Sequence, residues 1–126
     1  MANYAANHDF SDCNILIVED DILIALDLEK VLDDAGCVVV GVVPSVDRAL
    51  QKIDNNRLDA VLLDVKLGGE LVLAVADRLL ADGVPFIFVT GEPGRLPERY
   101  WTRPVISKPF QPAAVLAALA TMMGPC

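Results

Sequence analysis

The sequence predicts an α/β fold: a doubly wound, five-stranded parallel sheet with helices on both faces. Three observations predict it. Short apolar, β-branched runs alternate with stretches of helical period along the chain. Gly- and Pro-containing turns separate them. Four of the runs stop at a polar residue, namely Glu19, Asp64, Thr90 and Lys108. In an open parallel sheet, the crevice beyond the carboxyl ends of the strands is the usual ligand site.

The elements follow in order. Residues 14–18 (NILIV) read as strand one and run into three acids, Glu19, Asp20 and Asp21. From Ile22 to Ala35 apolar residues recur close to a 3.6 period, which predicts helix one, stopped by Gly36. Residues 37–43 are strand two, and Ser45 is placed to cap helix two over 46–55. Residues 58–63 form a short strand three, buried on both faces, with Asp64 at its end and Gly68 and Gly69 beyond. Helix three is expected over 70–81 with Gly83 after it, and strand four over 84–89.

The alternation then breaks. Residues 91–103 hold prolines at 93 and 97, and Pro104 follows. A mean helix needs about 11–12 residues and each connection about 2–6 more, so helix four is expected to be replaced by a loop with at most one helical turn. Residues 104–107 are strand five. The last helix is expected over 112–123, with Pro112 in its first turn. Right-handed crossovers then favour the flavodoxin-like strand order 2-1-3-4-5.

Bulk properties narrow the function. A chain of 126 residues, 54% hydrophobic, makes one well-filled domain. Its longest apolar run, 113–120, is too short to span a bilayer. A net charge of −8 argues against direct nucleic-acid binding. Residues 1–12 lack the basic start and apolar core of a signal peptide and are expected to form a loose tail, leaving 13–126 as the domain. Cys13, Cys37 and Cys126 share no metal-type spacing and are expected as free thiols in a reducing cytoplasm. His8 is the only histidine, expected to be solvated, so no His-based catalytic pair is available within the domain.

Predicted topology brings the polar strand ends to one rim. Each residue alone has an ordinary explanation: acids cap helices, a lysine is solvated, a threonine sits in a turn. Together they describe chemistry. Clustered carboxylates invite a hard divalent cation such as Mg²⁺, which takes oxygen ligands. With the charge neutralised, an aspartate can act as a nucleophile toward phosphorus. Lys108 is a point charge suited to a phosphate oxygen, and the Thr90 hydroxyl can donate to another.

The motifs ILIVEDD at 15–21, VLLDV at 61–65, FVTG at 88–91 and SKPF at 107–110 resemble the receiver domain of two-component response regulators. The resemblance covers roughly residues 13–123. It implies that Asp64 is the phosphoacceptor, charged from a phosphohistidine on a sensor histidine kinase or histidine phosphotransfer protein. It implies Mg²⁺ held by Glu19, Asp20, Asp64 and the backbone carbonyl of Lys66, with Thr90 and Lys108 on the phosphoryl group. A cis Lys108–Pro109 bond is a further expectation. PFIFVTG at 85–91, with DVKLGGE at 64–70, resembles the PFxFATGY subfamily of single-domain regulators that lack helix four.

Departures from the family pattern are informative. Gly68 stands where the family usually has proline, Val105 replaces the switch aromatic, and Glu92 stands where the subfamily motif has tyrosine. Tyr100 or Trp101 either supplies an aromatic switch from the loop or covers the sheet edge.

The resemblance implies a cytoplasmic signalling switch rather than an enzyme, one that at most catalyses its own phosphorylation and dephosphorylation. No output domain is expected after residue 126, so output is expected through protein contact or onward phosphotransfer. The uncharged stretch 111–126 suggests a last helix that offers one side to a partner or to a homodimer. Helix one, with Ile22, Leu23 and Leu26, is the expected kinase dock. Three other classes compete. A flavodoxin-type cofactor module needs a phosphate loop where this chain has Glu-Asp-Asp. An aspartyl phosphatase needs a second acid where Lys66 stands. A phosphorylation-independent binding module of the same fold would not need the acid–Asp–Thr–Lys set.

Overall fold

The computed structural model describes residues 8–126. Five parallel strands form the main sheet: β1 (Asn14–Val18), β2 (Val38–Val43), β3 (Ala60–Leu63), β6 (Phe86–Thr90) and β7 (Val105–Ser107), in the order β2-β1-β3-β6-β7. Counted along the main sheet, this is the expected 2-1-3-4-5 order. Among the described residues, four α-helices flank the sheet: α1 (Ile22–Asp34), α2 (Val46–Asn55), α3 (Leu73–Asp82) and α4 (Pro112–Met122).

The period of two along β1 sorts the core. Ile15 and Ile17 face α1 and α4, in a layer with Leu28, Leu32, Leu62, Ile87, Val115 and Leu119. Leu16 and Val18 face the opposite way, in a layer with residues of α2 and α3. Helices on both faces and a buried sheet between them follow from strands apolar on both sides.

Local chemistry fixes the helix ends. Asp21 caps α1, its Oδ1 accepting from the Leu23 and Ile24 amides at 3.0 and 3.3 Å. Ser45 caps α2 through the Arg48 amide at 3.3 Å. Gly83, at φ 71°, closes α3 in the left-handed conformation that glycine adopts without steric cost.

Helix three starts later than expected. Residues 66–71 instead form an antiparallel hairpin of β4 (Lys66–Leu67) and β5 (Glu70–Leu71). Its two-residue turn is Gly68-Gly69, at φ 54° and 90°. Positive φ at both central residues is what a tight hairpin turn demands, and glycine supplies it. Buried Val65, Leu67 and Val72 anchor the hairpin to the core.

The 91–103 segment carries no α-helix. It makes two separate three-residue 3₁₀ turns, at Pro93–Arg95 and Glu98–Tyr100, rather than at most one. Tyr100 covers the sheet where a helix would lie. It is fully buried, edge-on to Phe86 and Phe88 at 6.0 and 5.7 Å. Its hydroxyl donates to Asp77 Oδ1 on α3, and Arg99 holds the same carboxylate at 3.0–3.2 Å. Trp101 lies outside, 69% exposed, its ring N–H donating to the Leu96 carbonyl at 2.9 Å.

Three expectations at the chain ends need correction. The expected tail at 1–12 includes residues that pack: Phe10 lies in the α1/α4 layer of the core, and the Asp12 amide donates to Gly36 at 3.2 Å. Residues 1–7 lie outside the described part. His8 is partly buried and tilted against Phe10 at 4.3 Å rather than solvated. The cysteines are not all free thiols, because Cys13 and Cys126 form a disulfide, with Cα atoms 5.1 Å apart across 113 residues. Buried Met123, just past α4, shares a core layer with Cys13 and Ile15, a proximity that linear spacing does not reveal. Cys37 is free and buried, and desolvation pushes its thiol up to about 11. Among the described residues no helix is long and apolar enough to cross a membrane.

Candidate phosphoacceptor site

Strand register assembles the site. Val18 pairs with Leu63, Leu63 with Phe88, and Thr90 with Ser107. The next residues in β1, β3 and β7, Glu19, Asp64 and Lys108, therefore emerge side by side, with Thr90 at the last position of β6. Glu19 and Lys108 continue the backbone bonding: the Glu19 amide donates to Val43 at 3.0 Å and the Lys108 amide to Thr90 at 3.0 Å.

The three successive acids divide their roles. Asp21 is spent on the α1 cap. Glu19, Asp20 and Asp64 point together, each offering an oxygen within 4.8 Å of the others. Lys108 Nζ bonds Glu19 Oε1 at 2.6 Å and Asp64 Oδ2 at 3.0 Å. Glu19 Oε2 also accepts from the Asp21 amide at 3.1 Å. Asp20 is exposed, and its Oδ2 accepts from the Gly68 amide at 2.8 Å.

Access differs within the cluster. The Glu19 side chain is 1% exposed, against 11% for Asp64 and 16% for Lys108. Of the two acids that Lys108 holds, Asp64 is the one that solvent reaches. Burial pushes Glu19 up to about 7, against the bonds from Lys108 and the Asp21 amide. Burial also works against the Lys108 ammonium, yet its bonds to Glu19 and Asp64 outweigh this and hold its pKa above the ordinary lysine value. The acids thus carry more negative charge than one lysine balances. That excess fits a divalent cation, and an all-oxygen donor set fits Mg²⁺ rather than a softer metal.

The Lys66 carbonyl takes no part in the hairpin's own ladder. The Val72 amide donates to Val65 at 2.8 Å, which makes Val65–Val72 a hydrogen-bonded pair of the hairpin. Pairs alternate in an antiparallel ladder, so the next pair, Lys66–Leu71, does not use its backbone groups across the hairpin. Thr90 Oγ1 accepts from the Glu92 amide at 3.0 Å, which fixes the hydroxyl while leaving its proton to donate. The Lys108–Pro109 peptide is cis, as the resemblance led us to expect.

The structure brings Glu19, Asp20, Asp64 and Lys108 into one cluster; Thr90 stands at the end of the neighbouring strand and Lys66 on the hairpin that follows Asp64. Sequence reasoning missed the Gly68 amide on Asp20. Its only trace in the sequence is a glycine where the family pattern has proline.

The response regulator receiver domain matches residues 15–120. The chain belongs to that family. Receiver domains are components of two-component phosphorelay signalling. The chain is 39% identical over 115 residues to the phyllosphere-induced regulator PhyR of Methylorubrum extorquens, covering 84% of this chain and 42% of PhyR. Among solved structures, SdrG from Sphingomonas melonis Fr1 is 42% identical with a TM-score of 0.78, covering 86% of this chain and 96% of SdrG. SdrG has also been solved in a BeF3-activated conformation, at 39% identity and a TM-score of 0.75, covering 90% and 98%. PhyR from Brucella abortus gives a TM-score of 0.81 at 29% identity, covering 96% of this chain and 50% of PhyR. This receiver domain thus spans about half or less of the PhyR proteins it resembles and nearly all of SdrG.

Proposed function

We propose that this receiver domain is a phosphorylation switch: Asp64 accepts a phosphoryl group from a phosphohistidine on a sensor histidine kinase or phosphotransfer protein. The observation that carries the reading is the Asp64 carboxylate, solvent-accessible yet bonded to Lys108 at 3.0 Å, within a three-acid cluster. Mg²⁺, held by Glu19, Asp20, Asp64 and the Lys66 carbonyl, would supply charge neutralisation at the transferring phosphoryl group.

The chain's own groups do the rest. An Asp64 oxygen attacks phosphorus, and the donor's P–N bond breaks as the new O–P bond forms. The imidazole leaves neutral, its ring proton already in place. Lys108, already on Asp64, pairs with a phosphoryl oxygen, and the Thr90 hydroxyl donates to another. The domain works as a signalling switch that promotes its own phosphorylation, with output through protein contact. The BeF3-activated form of SdrG supports this reading, since BeF3 mimics a phosphoryl group on a carboxylate.

The donor protein docks on α1. Ile22, Leu23 and Leu26 are 73%, 71% and 54% exposed in the first turns beyond the acid cluster. Three large apolar side chains together on a surface mark a contact site. An apolar groove of about 670 Å³, walled in part by Ile24, Val31, Pro109, Phe110 and Leu116, opens between α1 and α4. Because Leu23 and Leu26 are exposed, the Leu23→Ala/Leu26→Ala variant should keep wild-type stability. Its transfer rate from a phosphohistidine protein should fall at least about tenfold, as expected for interface anchors. Transfer from a small phosphodonor should not change. An unchanged protein-to-protein rate would remove α1 as the dock.

A further inference from the structure

We infer that the Gly68 backbone N–H is a positioning group for the cation site, holding Asp20 in place from the β4–β5 hairpin; this rests on the Mg²⁺ reading above. Asp20 is exposed and projects from the loop between β1 and α1. A carboxylate there samples several rotamers in water, and ordering it costs entropy on binding. The Gly68 N–H removes much of that freedom by donating to Oδ2 at 2.8 Å, leaving the other oxygen for a cation.

The donor itself is rigidly placed. Gly68 is the first turn residue of a hairpin whose φ values, 54° and 90°, suit glycine. Buried Val65 and Leu67 fasten the hairpin to the core. The same hairpin carries the Lys66 carbonyl, so one element fixes two members of the donor set. Proline has no N–H and cannot adopt φ near +54°. The residue type at 68 therefore decides whether this hold exists. The hairpin and the β1–α1 loop become one unit, although 48 residues separate the bonded pair.

The test replaces the Gly68 amide by an ester in the full chain, using glycolic acid at position 68, with the same replacement at Gly69 as the control. Mg²⁺ affinity is measured by calorimetry, and Gly68 amide exchange is measured in metal-free wild type and in Asp20→Ala. Loss of a charge-assisted hydrogen bond should weaken Mg²⁺ binding roughly tenfold in the Gly68 ester. The Gly69 ester should bind as wild type does. The Gly68 amide should exchange more slowly than that of Gly69, and the difference should vanish in Asp20→Ala. Equal Mg²⁺ affinities for the Gly68 ester and wild type, or equal exchange at the two glycines in wild type, would overturn the positioning role while leaving the cation site standing. Wild type that binds no Mg²⁺ would overturn the cation reading itself, and the positioning role with it.

Discussion

Truncating Tyr100 to alanine will cost about 4 kcal/mol of stability, as expected for emptying a site filled by a buried aromatic ring. Tyr100 is fully buried against Phe86 and Phe88 on a sheet face with no helix of its own at that point. Water would reach the face if the ring were removed. The milder change, Tyr100→Phe, keeps the ring and removes only the hydroxyl bond to Asp77, with an expected loss of about 1 kcal/mol. That loss should depend on pH. The Tyr100 and Arg99 bonds hold the Asp77 carboxyl below its ordinary value, so its contribution is present at neutral pH and disappears as acid protonates it. Burial and the Asp77 bond raise the Tyr100 phenol, so its contribution is present at neutral pH and is lost in strong alkali. The Phe variant should therefore differ from wild type across the neutral range and converge on it in acid. Urea denaturation midpoints across pH check this, and a pH-independent difference would contradict the assignment.

Replacing Lys108 by methionine will destabilise the cation-free protein by about 3 kcal/mol at pH 8. Removing one partner leaves the Glu19 and Asp64 charges uncompensated and largely desolvated. Burial already lifts Glu19 to about 7, and without lysine its preference for the proton grows. A carboxyl whose folded-state pKa is raised favours the folded form at low pH, and that advantage fades as pH rises through the folded value. The defect in Lys108→Met should thus shrink toward pH 5. On the Mg²⁺ reading proposed above, added Mg²⁺ should restore much of the loss at pH 8, because a cation that binds the folded cluster and not the unfolded chain favours folding. Urea midpoints with and without Mg²⁺ read both effects. A variant equally destabilised at pH 5 and pH 8, with no response to Mg²⁺, would mean that Lys108 supports the fold by packing alone.

Most of this site was legible in the sequence because strand ends are. A four-residue apolar run ending in Asp64 locates a carboxylate at a sheet rim, whatever the register. The proline-rich stretch at 91–103 announced the missing helix through its length and its prolines. The limits are equally specific. Glu70 and Leu71 fit the start of a helix by residue type, and the hairpin that claims them turns on the positive φ values at Gly68 and Gly69. The Gly68–Asp20 bond is made by a backbone N–H, which has no letter in the sequence. Tyr100 and Trp101 are adjacent aromatics in one loop, yet packing buries the first and exposes the second. Cys13 and Cys126 meet because the segment after α4 comes back to the start of β1, which no local pattern encodes.

The central claim is that Asp64 is the phosphoacceptor. Intact-mass measurement after incubation with Mg²⁺ and a small phosphodonor, beside Asp64→Ala, tests it most directly. One added phosphoryl group on wild type, absent when Mg²⁺ is chelated before the donor is added and absent from Asp64→Ala, is the predicted result. No adduct on wild type, with Mg²⁺ binding demonstrated and a phosphohistidine donor also tried, would contradict the account and leave a receiver fold that acts by binding alone.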